Sequence, residues 1–204
     1  MRGVPPEGRL EFAVRKAGAE IGQHIIRFSE KDGDLVVDIE ASLRVRFAFV
    51  TVYRYTQRSR EIWRDGALVS LESDIDDNGT PYSIRAERRE GRLIVDGHEE
   101  RHDFAFGIHP LSYWNPELMR QSQGLDLQWG SLAALEVAEH GTERRSVRGT
   151  DIDAQRFNMK GTEIRRGQRQ ARPWLDLDAW YSSDGRLMAM AFHYRGFDFD
   201  YVLR

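Results

Sequence analysis

Apolar and polar residues alternate along much of this chain. The alternation is clearest over Leu43–Tyr55, where Leu43, Val45, Phe47, Phe49, Tyr53 and Tyr55 share one parity and Arg44, Arg46 and Arg54 the other. A period of two residues is that of a β-strand, not a helix. At about 3.3 Å per residue, this strand would be roughly 40 Å long. We therefore predict one long strand here and a second over Glu61–Arg64, which turns at Asp65-Gly66 and returns over Ala67–Ser73.

Shorter alternating stretches fill most of the remaining sequence and are separated by glycine-containing turns, such as Asn78-Gly79, Arg166-Gly167 and Arg195-Gly196. Asn-Gly and Asp-Gly pairs are the strongest hairpin signals. The other predicted strands are Arg9–Lys16, Gly22–Ser29, Leu35–Ser42, Tyr82–Arg88, Arg92–Val95, Glu100–Phe106, Leu132–Ala138, Glu143–Gly149, Ile152–Met159, Thr162–Arg166, Leu175–Tyr181, Leu187–Tyr194 and Phe197–Leu203. Their order indicates an antiparallel meander.

One segment, Asn115–Gln121, has the features of a helix. Asn115 can cap it, Pro116 suits the first helical position, and Glu117 favours the positive N-terminal end. The surrounding residues 107–130 interrupt the strand pattern, and we predict that they form a lid or plug across one end of the sheet. The alternative is a connection whose aromatic residues complete the core.

The predicted fold is therefore all-β: a single antiparallel open barrel, or a strongly curved sheet, with one short helix. We expect residues 1–204 to form one domain, with residues 1–8 disordered and 107–130 a lid-like insertion. The side chains expected inside are Phe47, Phe49, Tyr53, Trp63, Leu68, Trp180, Phe199 and Tyr201.

Composition excludes several classes of function. The chain has 204 residues, a formal net charge of −3 and no cysteine. It therefore has no disulfide or thiol nucleophile and no global positive field to attract nucleic acid. The longest apolar run, Phe47–Val52, is far shorter than the ~20 residues of a membrane-spanning helix. The N-terminus lacks the hydrophobic core of a signal peptide, so we expect either a cytoplasmic protein or a mature form.

Two motifs resemble metal sites. His98–His102 matches HExxH, which binds zinc on a helix, but here it runs into a predicted strand, where the two histidines would lie about 13 Å apart. Asp74–Gly79 matches the start of a calcium loop, but its twelfth position is Arg85 instead of Glu. We expect ordinary turns at both places, no metal and no cofactor.

Apart from HExxH, no catalytic motif is complete in this sequence. Asp198 and Asp200 share one face of a strand, as paired acid–base carboxylates would, but a solvated outer face is the ordinary explanation, because apolar residues alternate with them. Ser112 lies near His109 without a GxSxG motif. The arginines between Arg44 and Arg64 could contact nucleic acid, although nearby acids favour a solvated face.

Several short motifs occur in a recognisable order: GAEIGQHIIRF, YRY, EIWRDG, LSYWN, LDLQWG and WYSSDGRL. From about Leu10 to Leu203 the chain resembles a proteobacterial family of unknown function. Many members begin with a secretion signal, so the resemblance implies a periplasmic protein. The family typically has Thr where this chain has Leu111. More distantly, the layout is similar to periplasmic lipoprotein and lipid carriers, which have a large, incompletely closed antiparallel sheet and a short helical lid.

The favoured function is a non-enzymatic, monomeric carrier or binding protein for a hydrophobic or amphiphilic small molecule, because curved sheets of this size can enclose a cavity. The candidate ligand-binding residues are Trp63, Tyr113, Trp114, Trp129 and Trp180, with Arg46 or Arg54 meeting an anionic head group. One alternative is a hydrolase that uses His109 with a carboxylate or serine. Another is a structural or partner-binding β domain with a filled interior.

Overall fold

The computed structural model describes residues 1–164, 173–194 and 197–204, which contribute fifteen strands to one sheet. The predicted turns Arg166-Gly167 and Arg195-Gly196 and the side chain of Phe47 lie outside this described part. In chain order the strands are β1 (Arg9–Lys16), β2 (Ala19–Lys31), β3 (Asp34–Phe47), β4 (Val50–Arg64), β5 (Ala67–Asp77), β6 (Thr80–Arg89), β7 (Arg92–Asp96), β8 (Arg101–Ala105), β9 (His109–Pro110), β10 (Gln123–Leu125), β11 (Leu132–Val147), β12 (Thr150–Ile164), β13 (Pro173–Tyr181), β14 (Leu187–Tyr194) and β15 (Phe197–Leu203).

The strands follow one another around an open barrel, with β1 beside β15 and with β8 and β9 at the two edges. Described neighbours pair antiparallel, except that β9 and β10 are parallel. A loop contact spans the seam between the edges: the His98 amide donates to the Trp129 carbonyl at 3.0 Å. Gly130 makes this approach possible, because a Cβ there would lie 2.7 Å from Gly97 Cα. The predicted all-β open barrel is confirmed.

The long strand predicted over Leu43–Tyr55 is wrong. The chain reverses at the two-residue turn Ala48-Phe49, which separates β3 from β4. Because the turn has only two residues, odd-numbered Phe47 pairs with even-numbered Val50. The residues that face one side of the sheet therefore have odd numbers before the turn and even numbers directly after it. A bulge then leaves Val52 without a partner on β3. From Tyr53 onward, the odd-numbered residues again face the same side as those before the turn. The alternation consequently continues through a hairpin as though the strand were unbroken.

The two ends of the barrel differ. We define the mouth end by the turns that follow β1, β3 and β5, and the floor end by those that follow β2, β4 and β6. A 3₁₀ helix, Pro116–Arg120, lies at the floor end, where a Cβ on Gly3 would lie 2.7 Å from the Trp114 carbonyl oxygen. The Asn115 side chain caps this helix by accepting a 3.0 Å hydrogen bond from the Glu117 amide. Residues 1–8 also lie at the floor end, where Val4 packs against the core and the Gly8 carbonyl accepts from the Phe28 amide.

The main core lies inside the floor half, around Trp114. The Trp114 ring is completely buried, with its centroid 5.3 Å from Phe28 and 5.5 Å from Trp63. Trp63 and Leu68 are buried inside, as expected. Tyr53, Phe199 and Tyr201 are only half-buried, because they line a cavity nearer the mouth.

Two residues expected inside lie elsewhere. Phe49 is fully exposed, because it occupies the turn between β3 and β4. Trp180 is buried, but in a separate cluster with Ala154 and Ala189. Its neighbour Tyr181 packs in the main core, so Trp180 faces the outside of the barrel, where the Arg145 guanidinium covers its ring at 4.1 Å.

Candidate functional site

A cavity of about 440 Å³ occupies the mouth half of the barrel. The plug beneath it is formed by Leu111–Tyr113, whose side chains line the cavity and are buried. The side walls come from the mouth-end halves of β2–β6 and β12–β15. At the rim, the His193 side chain is 67 % exposed, so the cavity opens toward the mouth end. The lining apolar residues include Ile39, Ala41, Leu43, Ile75, Leu127, Leu175, Met190, Phe192 and Phe199.

A chain of uncharged hydrogen bonds runs down one wall. The Tyr55 hydroxyl donates to Gln57 Oε1 at 3.1 Å, and Gln57 Nε2 donates to Ser59 Oγ at 3.0 Å. Ser59 Oγ donates in turn to Ser73 Oγ at 2.9 Å. Tyr55 and Gln57 line the cavity, whereas the two serines are buried below it. The wall therefore offers polar atoms to a ligand without offering a charge.

His24 adds a polar atom that has no partner. Its side chain lines the cavity and only 7 % of the residue is exposed. Nε2 finds no hydrogen-bond partner in the described part of the chain. The ring lies between Phe12 and Tyr201, at centroid distances of 6.1 and 5.7 Å. Burial lowers the pKa of His24 from 6.5 to about 4, so the imidazole is neutral at pH 7.

Acidic and phenolic groups complete the lining. Asp126 Oδ1 accepts from the Gln128 and Trp129 amides at 2.6 and 3.0 Å, which fixes the loop beside the seam. Burial raises the pKa of Tyr55 and Tyr113, and the charge of Asp126 raises both further. These hydroxyls therefore stay protonated at physiological pH, as the Tyr55 hydrogen bond to Gln57 requires.

Below the cavity, Glu61 joins the plug to the wall. This carboxylate is completely buried, and its Oε2 accepts from Trp63 Nε1 at 2.8 Å and Trp114 Nε1 at 2.9 Å. Burial raises the pKa of Glu61, while hydrogen bonds from Ser112, Trp114 and Trp63 oppose that rise. A second tether runs from the Tyr181 hydroxyl to the Tyr113 carbonyl at 2.6 Å. These contacts hold the plug that forms the bottom of the cavity.

The ligand-binding residues predicted from sequence lie in different parts of the structure. Tyr113 and Trp129 line the cavity. Trp63 and Trp114 lie beneath it in the core, and Trp180 lies on the outer face. Arg46 and Arg54 are both exposed, and Arg54 pairs with Asp76 at 3.5 Å. Neither arginine belongs to the described lining, so the structure does not bring them together with the tryptophans.

The residues of the hydrolase hypothesis do not converge. His109 Nδ1 lies 3.1 Å from the Gly107 carbonyl, and the ring packs against Trp63 at 5.4 Å. Burial lowers the pKa of His109. Within the described residues its ring makes no hydrogen bond to a serine or carboxylate, and Ser112 instead interacts with Glu61. Asp198 lies at the rim, paired with His193.

Both metal motifs are parts of hairpins. His98 precedes β8 and packs against Tyr82 and Trp129, whereas His102 lies on β8 and stacks on Phe104. Asp74 pairs with Arg85 at 3.0 Å. The described residues contain no cluster of three or more potential metal ligands. No helix among them is long and apolar enough to cross a bilayer.

The polar residues of the interior were not predicted from sequence, although their parity along the strand indicates them. Gln57, Ser59 and Glu61 share the inward parity of Tyr55 and Trp63 along β4. Polar residues at apolar positions indicate buried polar groups. His24 gave the same signal on β2, because it shares the inward parity of Ile26 and Phe28.

The comparisons with known proteins agree with this architecture. A crystal structure of a beta-barrel-like protein of the domain of unknown function DUF1849 from Brucella abortus superposes with a TM-score of 0.69. The match covers 100 % of this chain and 97 % of that one at 13 % identity, which shows a shared fold. No curated protein matches the sequence significantly. The family model for DUF6134, a domain of unknown function, matches residues 12–204. This chain therefore belongs to the DUF6134 family.

Proposed function

We propose that this protein is a non-enzymatic, monomeric carrier or binding protein for a hydrophobic or amphiphilic small molecule, held in the mouth-half cavity. One observation carries the proposal: the interior is not filled, and its 440 Å³ exceeds the roughly 300 Å³ at which ligand pockets begin. Mostly apolar walls with a few placed polar groups are what such pockets usually present.

The lining favours an uncharged polar group on the ligand. His24 is neutral, and Tyr55 and Gln57 are uncharged. The charged side chains of the described wall include the acids Asp77, Asp126 and Glu163 but no lysine or arginine. An anionic head group would lose its hydration there without gaining a cation, which is costly. We therefore propose a hydroxyl or carbonyl head group, in place of the anion that Arg46 or Arg54 would have met.

The resemblance to periplasmic lipid carriers supports the same proposal at the level of fold. A periplasmic location after removal of a signal peptide is part of it, and fractionation of cells that express the complete gene would test that location. Native mass spectrometry of freshly purified protein would reveal a bound molecule that survives purification.

A direct test uses two probes of equal chain length, a long-chain alcohol and the matching carboxylate. We expect the alcohol to bind at micromolar concentration, to change tryptophan emission through Trp129 beside the cavity, and to bind more tightly than the carboxylate. The variant Ala41→Phe fills the cavity and should abolish binding, whereas Ala138→Phe on the exposed face of β11 should not. Failure of both probes to bind the wild-type protein would leave a partner-binding domain as the better account.

A further inference from the structure

We propose that the tip of the β3–β4 hairpin docks on the surface of an anionic phospholipid bilayer. This inference goes beyond the proposed function, because the hairpin tip could bind a bilayer whether or not the cavity holds a ligand.

The first observation is an exposed apolar tip. Phe49 shows 102 % of its reference area to solvent, Val50 65 % and Val52 52 %. Three of the exposed large hydrophobic side chains thus lie within four consecutive residues, in the turn and at the start of β4. Isolated exposed apolar residues are ordinary, but a cluster at the end of a projecting hairpin marks a contact surface.

The second observation is the charge around that tip. From Ala41 through Arg60 the sequence contains five arginines and no acidic residue. Arg44 and Arg46 are exposed and make no ion pair with any residue that the structure describes. Arg44 lies directly opposite Arg54 across the two strands, and like charges in such pairs destabilise a sheet; Arg54 also pairs with Asp76 at 3.5 Å, whereas Arg44 has no ion-pair partner among the described residues. An anionic surface would remove this repulsion, because negative lipid head groups attract basic residues that flank an apolar segment.

The third observation is where the hairpin lies. It projects at the mouth end, and two inward-facing residues of the same hairpin, Leu43 on β3 and Tyr53 on β4, line the cavity. A bilayer that receives Phe49 would therefore lie beside the mouth of the cavity. A protein partner fits less well, because a specific interface covers about 800 Å² on each side and three side chains at one turn present much less.

The experiment is co-sedimentation of the full chain with vesicles of phosphatidylcholine alone and of phosphatidylcholine mixed with phosphatidylglycerol. We expect the wild-type protein to bind the anionic vesicles at least tenfold more strongly, and added salt to weaken that binding. Phe49→Ser should reduce binding to anionic vesicles about tenfold or more, since the buried ring supplies the apolar contact. The double variant R44Q/R46Q should remove the preference for anionic vesicles.

The control is R120Q/R144Q, which removes two exposed arginines elsewhere on the surface, and it should bind as the wild type does. Wild-type protein that stays in the supernatant with anionic vesicles would overturn the proposal. So would equal losses in R44Q/R46Q and R120Q/R144Q, which would indicate only a general effect of charge. If Phe49→Ser instead converted a dimer into a monomer in the absence of vesicles, the tip would be a contact between copies of the chain.

The same variants separate this inference from the proposed function. Phe49, Arg44 and Arg46 are absent from the described cavity lining, so their substitution should leave the affinity for the long-chain alcohol unchanged. Ala41→Phe should do the reverse: it should remove alcohol binding and preserve vesicle binding.

Discussion

The indole nitrogen of Trp114 donates a 2.9 Å hydrogen bond to the buried carboxylate of Glu61, 53 residues earlier in the chain. Trp63 donates to the same oxygen from the barrel wall. One carboxylate thus joins the wall to the plug, and the plug forms the bottom of the cavity. The integrity of the cavity therefore depends on a group that does not line it.

Replacing Glu61 with Ala should destabilise the protein strongly. Two buried indole N–H groups would lose their acceptor, and each unsatisfied donor costs about 1–3 kcal/mol. We expect a total loss of about 2–6 kcal/mol in the free energy of unfolding, measured by urea titration. Glu61→Gln keeps a carbonyl acceptor at the same place and should cost clearly less. Equal losses in the two variants would show that the indole hydrogen bonds are not the main contribution.

Trp114→Ala should be among the most destabilising single substitutions. The ring is completely buried between Phe28 and Trp63, and loss of such a ring costs about 3–5 kcal/mol. Phe49→Ala is the matched control, because that ring is fully exposed and its loss should change stability by less than about 0.5 kcal/mol. Chemical denaturation of both variants measures the difference. A cost below about 0.5 kcal/mol for Trp114→Ala would place that ring on the surface.

Tyr181→Phe removes the second tether of the plug. Its hydroxyl donates a buried 2.6 Å hydrogen bond to the Tyr113 carbonyl, and a hydrogen bond of this kind contributes about 1 kcal/mol. We expect a loss of that size and faster hydrogen exchange at amides of Leu111–Tyr113. Unchanged exchange rates there would contradict a tethering role for Tyr181.

The antiparallel order and most turns could be predicted from sequence, because residues such as Asp65-Gly66 and Asn78-Gly79 form tight turns locally. The Ala48-Phe49 turn could not, since it contains no glycine, proline or asparagine and the bulge at Val52 restores the alternation. Ala48 adopts a φ of 52°, which the hairpin imposes on a residue that does not favour it.

The candidate site was harder to predict for two physical reasons. Period-two alternation shows which residues share a face, but not which face is inside when both are covered. Trp180 and Tyr181 illustrate this ambiguity: they are adjacent, both buried, and on opposite faces. The pairing of Glu61 with Trp114 joins residues far apart in sequence, and no local pattern indicates such contacts.

The last prediction concerns His24 and pH. Its pKa is about 4 in the folded protein and near 6.5 when exposed, so protons bind the unfolded chain more tightly. The neutral imidazole therefore contributes stability that is complete above pH 6.5 and is lost as pH falls toward 4. The resulting loss in the free energy of unfolding approaches about 3 kcal/mol, because one pKa unit corresponds to about 1.4 kcal/mol.

His24→Gln replaces the imidazole with an amide that does not titrate. The stability difference between wild type and this variant, measured by urea unfolding at pH 7.5 and 4.5, should therefore shift in favour of the variant at the lower pH. His140→Gln, a substitution at an exposed position, is the control. The change in its stability between the two pH values measures the contribution of the other groups that titrate in this range. A difference that stays constant between the two pH values would mean that water reaches His24. Its unpartnered Nε2 would then be hydrated in the folded protein.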